Sequence, residues 1–218
     1  MTDFRIGLID SNVPVRAGRA MIFNAQPDMK VVLEEADPLS ALQRCSDYLV
    51  DVLVVGPSQH RLRGSQFIET LCKSLQAASN DCVVLAYSSF YSNALRFDAV
   101  RSGAQEFLGL DNDANQFLST IRNIIKRDFT IPMSELAEMA TQNPLVRISG
   151  PLELLLSDLP IGQQNLLDEF LLGRMDQEIA KKFDMARTRV TKFIDGLVVS
   201  GGFTSRNQLA LSLLGARK

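Results

Sequence analysis

The residues of this chain best suited to chemistry lie in one segment near the C-terminal end, where basic and hydroxyl side chains follow each other closely. They are Arg187, Thr188, Arg189, Thr191 and Lys192. An arginine side chain can donate two parallel hydrogen bonds to guanine, while threonine and lysine side chains reach phosphate groups or thymine methyl groups. The segment therefore predicts an interface with the major groove of double-stranded DNA.

The same segment, residues 187–200, has the spacing of an amphipathic helix. Counted from Val190, Ile194 and Leu197 fall four and seven positions later, so all three are expected on one buried stripe. The side chains expected to point away from the stripe are Thr188, Thr191, Lys192 and Asp195, with Arg187 and Arg189 on the flanks. The alternative interpretation is a core helix whose basic face is merely solvated.

No other residues form a set with the types and spacing of a catalytic or metal site. The single histidine, His60, has no serine, cysteine or carboxylate placed to make a nucleophile–base pair, and it is expected to be a solvated loop residue. The three cysteines, Cys45, Cys72 and Cys82, are widely spaced and are expected to stay reduced. We predict no enzyme, no catalytic residue, no cofactor and no metal.

Composition and charge indicate a globular protein with a polyanionic partner. The chain has 218 residues, of which 46% are hydrophobic and 22% charged. Its apolar runs are far shorter than the ~20 residues that span a bilayer, and no secretory signal is evident, so we expect a cytoplasmic protein without membrane contact. The net charge is −3 over residues 1–125 and +1 over 126–218, and residues 174–206 carry seven basic against four acidic side chains.

The elements that must position these residues fall into two groups. Residues 1–125 alternate apolar runs with helical patterns, which predicts an α/β domain with a parallel sheet and right-handed crossovers. The predicted strands are 4–9, 30–33, 52–55, 82–86 and 103–109, and the predicted helices are 15–23, 40–49, 67–75, 92–102 and 112–127. Residues 126–150 are predicted to be a linker with a helix at 133–141. Residues 151–218 are predicted to be all-helical, with helices at 152–157, 161–172, 176–183, 187–200 and 206–214.

The helical C-terminal part resembles the helix-turn-helix domain of the LuxR/NarL/FixJ family of transcription regulators. The resemblance rests on Gly173, the sequence Glu-Ile-Ala at 178–180, Val190, and the segment from Gly201 to Ala210. It implies promoter DNA as partner and a homodimer formed through the last helix, with Asn207, Leu211 and Leu214 as contact residues. The sequence departs from the family at Gln163, Asn165, Thr191 and Phe193, so the family's usual base preferences do not transfer.

The N-terminal part resembles the receiver domain of the same family, but most of its chemical residues are replaced. Asp10 remains from an acidic pair whose second place is taken by Ser11, and Gly56 stands where the phosphoacceptor aspartate is expected. Ala86 aligns with the switch serine or threonine, and Leu110 with the expected lysine. Phosphoryl transfer to aspartate needs a carboxylate nucleophile and a divalent cation. The resemblance thus implies a degenerate phosphorylation pocket.

These observations predict an atypical response regulator, a pseudo-receiver joined to a DNA-binding domain that acts without aspartyl phosphorylation. Two alternatives stay open. The protein is a partner-sequestering interaction protein, which the low basic charge of its C-terminal part favours, or its vacated acid pocket binds a small ligand in place of phosphate. The alternative for the N-terminal fold is a flavodoxin-like domain unrelated to receivers, for which the sequence lacks a nucleotide-binding fingerprint.

Overall fold

The computed structural model describes residues 4–56, 65–78, 81–126, 131–142 and 156–216. The chain divides into two compact units between Arg127 and Asp128, and each is described by itself. His60 lies outside the described residues, as do residues 152–155 of the helix predicted at 152–157. In the described part of the chain, no helix is long and apolar enough to cross a membrane.

The first unit is a five-stranded parallel sheet with a helix after every strand. The strands are β1 Phe4–Ile9, β2 Met29–Glu35, β3 Val52–Val55, β4 Val83–Ser88 and β5 Glu106–Gly109. The helices are α1 Val13–Asn24, α2 Pro38–Tyr48, α3 Ser65–Ala77, α4 Asn93–Arg101 and α5 Ala114–Ile125. The strand order is β2-β1-β3-β4-β5, which confirms the predicted α/β fold. The last strand is shorter than predicted, because Gly103 has a φ of 109° and turns the chain after α4.

Helices cover both faces of the sheet, and this explains why β3 is a continuous apolar run. Val52 and Val54 pack in the layer formed with α1 and α5. Leu53 and Val55 pack in the opposite layer, which is formed with α2, α3 and α4. Successive strand residues point to opposite faces of the sheet. Because both faces are covered by helices, every side chain of β3 is buried. The carboxyl ends of β1, β3 and β4 meet at one edge of the sheet.

Short polar side chains cap most of these helices. The Asn12 side chain accepts a hydrogen bond from the backbone N–H of Val15 (3.2 Å), and the Asp113 side chain does the same for Gln116 (2.7 Å). Each satisfies a donor that the first helical turn leaves without a partner. Asn12 is the N-cap residue of α1 and lies two residues after Asp10, so this cap sets where the helix begins relative to Asp10.

The second unit is all-helical in its described residues. Its helices are α6 Met133–Gln142, α7 Ile161–Leu171, α8 Asp176–Lys182, α9 Arg187–Ser200 and α10 Arg206–Ala216. Helix α9 contacts α8 and α10, and α10 also contacts α6. Although α6 falls in the segment predicted to be a linker, it is part of this unit, since Leu136, Met139 and Ala140 are buried.

Helix α10 is buried around most of its circumference. Leu209, Leu211 and Leu213 are at most 3% exposed. Its sequence has no polar face, a pattern typical of a helix that is covered on several sides. Within this unit α9 and α6 both pack against it.

Candidate functional site

Gly56 lies at the carboxyl end of β3, beside Asp10, which follows β1. The two strands are paired in parallel, and the Gly56 backbone N–H donates a hydrogen bond to the Ile9 carbonyl oxygen (2.7 Å). A Cβ atom built on Gly56 would lie 2.5 Å from Asp10 Oδ2 and 2.5 Å from Tyr87 Cζ. Both distances are far below van der Waals contact, so a side chain at position 56 has no room unless its neighbours move.

The space next to Gly56 is filled by the phenol of Tyr87, a β4 residue that is 4% exposed. Its hydroxyl group donates a hydrogen bond to Asp10 Oδ2. The other carboxylate oxygen, Asp10 Oδ1, accepts a hydrogen bond from the backbone N–H of Asn12 (2.7 Å). Both oxygens of the remaining acidic residue are therefore engaged by the protein. Among the described residues, no three histidine, cysteine or carboxylate side chains form a group that could hold a metal ion.

A cation lies over the Tyr87 ring. The Arg19 guanidinium carbon is 4.1 Å from the centroid of the Tyr87 ring and 3.8 Å from that of the Phe117 ring. The two rings meet edge to face, with their centroids 5.9 Å apart. Burial, followed by the hydrogen bond to Asp10, raises the pKa of Tyr87 well above its ordinary value. The phenol therefore remains protonated and keeps donating to Asp10.

The structure does not bring all predicted pocket residues together, and the expectation for Ala86 was wrong. Ala86 packs with Val55 and Phe107 in the layer under α2, α3 and α4, on the opposite face of the sheet from the pocket. The neighbouring residue Tyr87 takes the pocket position. Val55 is the register partner of Ala86, so the next residues, Gly56 and Tyr87, share the other face. Strand alternation was the signal that could have identified Tyr87.

The two remaining predicted pocket residues, Leu110 and Ser11, are both half-buried. Leu110 packs against the layer that contains Tyr87 and Phe117. Ser11 directly follows Asp10. The alternative of a ligand in the vacated pocket loses its basis beside Gly56, because protein atoms already occupy that volume.

Asp51, the acidic residue before β3, is held at the other end of the strand. Its carboxylate accepts hydrogen bonds from Arg5 Nε (3.1 Å), from the second guanidinium nitrogen (2.8 Å) and from the Arg5 backbone N–H (2.8 Å). It is a structural partner of Arg5 and lies at the opposite end of β3 from Gly56.

In the second unit, the predicted buried stripe of α9 is confirmed. Val190 and Ile194 are 0% exposed and Leu197 is 3% exposed. The turn between α8 and α9 contains Asp184, whose φ of 48° is in the left-handed region that bends the chain sharply. The two helices are joined by four residues, a connection length typical of a helix-turn-helix.

Four of the five predicted DNA-contacting side chains are exposed. They are Arg187, Thr188, Arg189 and Lys192. All four lie in the first two turns of α9, the end that enters the major groove in a helix-turn-helix. Two more lysines, Lys181 and Lys182, are exposed on α8, and Lys182 pairs with Glu169 (2.7 Å).

Thr191 and Asp195 do not point away from the core as predicted. The Thr191 hydroxyl group donates a hydrogen bond to Asp176 Oδ2 (2.6 Å), and Asp195 Oδ1 accepts one from Arg206 Nε (3.0 Å). The Arg206 guanidinium also donates to both Asp176 oxygens (2.7 and 3.1 Å). These four residues form a polar network between α8, α9 and α10, in which Arg206 and Asp176 are buried and Thr191 and Asp195 are half-buried. Hydrophobic spacing alone does not signal it.

Two of the three predicted dimer contacts are buried within the chain. Asn207 and Leu211 are 0% exposed, and Leu214 is half-buried. Helices α6 and α9 both pack on α10, so surface that the prediction took to be free is covered within the chain. As packed here, Asn207 and Leu211 are not available to a second copy.

No protein-family model matches the chain. The DNA-binding transcriptional activator DevR/DosR of Mycobacterium tuberculosis is 25% identical over 208 residues, covering 95% of this chain and 92% of that protein. The transcriptional regulatory protein LiaR of Bacillus subtilis is 22% identical over 200 residues, covering 90% and 92%. The oxygen regulatory protein NreC of Staphylococcus aureus is 29% identical over 129 residues, covering 59% and 58%.

Solved structures share the fold. The signal receiver domain of the response regulator NarL from Mycobacterium tuberculosis matches 58% of this chain and 98% of its own length, with a TM-score of 0.52 and 21% identity. The RcsB response regulator of Salmonella typhimurium matches 93% of this chain and 94% of its own, with a TM-score of 0.53 and 14% identity. The homologues of this chain are response regulators of the NarL/LuxR family, and its fold is a receiver-like parallel sheet followed by a helical C-terminal domain.

Proposed function

We propose that this protein is a DNA-binding transcription regulator of the response-regulator type that works in the cytoplasm, as a homodimer, without aspartyl phosphorylation. DNA binding is proposed from the exposed basic and hydroxyl side chains on the first two turns of α9, which lie opposite a buried apolar stripe. These side chains are Arg187, Thr188, Arg189 and Lys192. Similarity to DevR/DosR, a DNA-binding transcriptional activator, supports the same conclusion.

The receiver-like unit supports independence from phosphate in two ways. Glycine at position 56 offers no carboxylate to accept a phosphoryl group. The adjacent Tyr87 hydroxyl group and the Asn12 backbone N–H engage both oxygens of Asp10, which would otherwise be available to a divalent cation. Without a nucleophile and with its acidic residue engaged, the pocket has lost the chemistry of aspartyl phosphorylation.

A homodimer is proposed because one helix-turn-helix contacts few base pairs, and two half-sites about 10 base pairs apart multiply affinity and specificity. The family resemblance implies the last helix as the contact. Since Asn207 and Leu211 are buried and α6 and α9 both pack on α10, dimerisation through that helix would require a packed helix such as α6 to move.

The test is binding to a duplex that the protein itself enriches from a randomised pool. We expect the same Kd with and without acetyl phosphate and Mg²⁺, and no phosphoprotein by intact-mass measurement. Binding that requires the phosphodonor would overturn phosphate independence. Failure to enrich any duplex would overturn DNA binding and favour a regulator that sequesters a protein partner.

A further inference from the structure

Arg206, the first residue of α10, contacts two other helices through one side chain. Its guanidinium donates to both oxygens of Asp176, at the start of α8, and to Asp195 Oδ1 on α9. A longer contact of 3.4 Å reaches the Thr191 carbonyl oxygen, also on α9. The Arg206 side chain is 9% exposed and that of Asp176 is 6% exposed, so water competes little for the hydrogen bonds between these two residues, whereas Asp195 is 31% exposed.

The network holds α9 at two points one helical turn apart. Thr191 donates its hydroxyl hydrogen to Asp176, and Asp195, four residues later on the same face, accepts from Arg206. Apolar packing of the Val190 stripe is non-directional and tolerates small rotations, whereas hydrogen bonds to a planar guanidinium do not. Two such anchors on one face fix both the rotation and the tilt of the helix.

Rotation of α9 about its own axis matters because it changes where the ends of its exposed side chains lie relative to the base edges. With side chains ending about 5 Å from the axis, a rotation of about 20° displaces their tips by roughly 2 Å. Hydrogen bonds to base edges fail over such a distance, while attraction to phosphates, which carries no sequence information, changes little. Thr188 and Lys192 are exposed, and Lys192 directly follows the anchored Thr191.

The alternative, that the network is there for stability, is weaker on physical grounds. The Arg206 guanidinium and the Asp176 carboxylate are removed from water, while the Asp195 side chain stays 31% exposed. Buried pairs such as Arg206–Asp176 frequently add little net stability over apolar residues of the same shape. Their documented advantage lies in fixing one geometry among several.

We infer that Arg206 is a positioning residue for DNA sequence reading, holding α9 in the orientation that lets its exposed side chains meet base edges. The inference rests on the DNA-binding function proposed above. It predicts that changing Arg206 lowers sequence specificity more than overall DNA affinity. A lysine at this position keeps the charge but cannot bridge two carboxylates with a rigid fork.

The experiment compares wild type with Arg206→Lys, Arg206→Met and Thr191→Val. Each is titrated with the duplex that wild type enriches from a randomised pool and with a scrambled duplex of the same length and composition. We expect the ratio of the two affinities to fall roughly 10- to 100-fold for the Arg206 variants, the size of one or two lost base contacts. Thr191→Val removes one anchor and keeps the side-chain volume, so its affinity ratio should fall less. If the Arg206 variants do not fold, Thr191→Val is the variant that tests the inference.

Two controls separate positioning from simple destabilisation. Arg122→Lys alters a similar two-pronged pair with Asp28 (2.8 and 2.8 Å) in the first unit and should leave the specificity ratio unchanged. The scrambled-duplex affinity and its salt slope should also stay constant in the folded Arg206 variants. An unchanged specificity ratio, or equal losses on both duplexes, would overturn the inference. Wild type that enriches no duplex would instead overturn the proposed function.

Discussion

The Tyr87 hydroxyl group donates a hydrogen bond to the Asp10 carboxylate directly beside Gly56. The three positions are therefore linked, since a larger residue at 56 would collide with the phenol and with the carboxylate that holds it. Glycine at position 56 and tyrosine at position 87 are thus complementary features of one packed site.

The first prediction concerns restoration of an aspartate. Gly56→Asp should lower the free energy of unfolding by about 2–3 kcal/mol, because the new side chain overlaps Tyr87 and brings a second carboxylate next to Asp10. The double variant Gly56→Asp/Tyr87→Thr should lose at least about 1 kcal/mol less stability than the sum of the two single substitutions. This coupling energy is measured by urea unfolding of all four proteins. Gly18→Ala is the matched control, since nothing lies within 4 Å of a Cβ there. Additive effects of the two substitutions would contradict this packing relationship.

The second prediction is an alkaline loss of stability that depends on Tyr87. Burial, followed by the hydrogen bond to Asp10, raises the Tyr87 pKa above its ordinary value of 10.0. Above pH 10 the unfolded chain therefore releases this proton while the folded protein keeps it, so the unfolded state binds fewer protons and stability falls as the pH rises. Below pH 10 Tyr87 is protonated in both states, so its contribution to the free energy of unfolding is fully present.

Tyr87→Phe is the variant that isolates this effect. It should lower the free energy of unfolding by about 1–3 kcal/mol at neutral pH, because Asp10 loses a hydrogen-bond donor. It should also show a smaller decrease than wild type in unfolding experiments above pH 10. Parallel pH curves for the two proteins would show that Tyr87 titrates normally and would contradict the argument.

The sequence was sufficient for the sheet, because strands buried on both faces are continuous apolar runs and the capped helices between them are strongly periodic. It failed at Ala86, where alignment to a family pattern shifted the pocket by one position. There the alternation of strand side chains from Gly56 gives the better prediction. No pattern pointed to Arg19 over the Tyr87 ring, since the stacking joins residues from separate elements.

In the helical unit, hydrophobic spacing identified Val190, Ile194 and Leu197 but misplaced Thr191. Thr191 follows Val190 by about 100° around the helix, at the border of the buried stripe, and either side is compatible with a threonine. Its inward direction depends on Asp176 and Arg206, which are distant in sequence. Whether the side chain of a border residue points inward or outward depends on tertiary partners, and a local sequence pattern does not contain them.

The third prediction tests the exposed face of α9. Arg187→Ala combined with Lys192→Ala should weaken binding to the enriched duplex at least about tenfold. Each side chain that contacts a phosphate should also reduce the slope of log affinity against log salt by about 0.9. Lys73→Ala, which removes one exposed lysine from α3, controls for loss of positive charge outside α9 and should have no effect. Full affinity and full regulation in the double variant would favour the partner-sequestering function instead.

The last prediction tests whether α6 and a second copy compete for α10. Leu136 is 0% exposed on α6, and Leu136→Asp places a charge in the interface, so α6 should detach rather than bury an unpaired carboxylate. Detachment exposes apolar surface around Leu211, which a second α10 can cover. Sedimentation velocity should then show a concentration-dependent shift from monomer to dimer.

Ser134→Asp adds the same charge to an exposed position of α6 and should leave the monomer–dimer equilibrium of wild type unchanged. Hydrogen exchange of the α10 amides reports whether α6 has actually moved. A Leu136→Asp variant with faster exchange in α10 that stays monomeric at every concentration would exclude this helix as the dimer contact. A dimer that forms only in that variant would support α10 as the dimer contact, because its apolar surface becomes available to a second copy once α6 has moved.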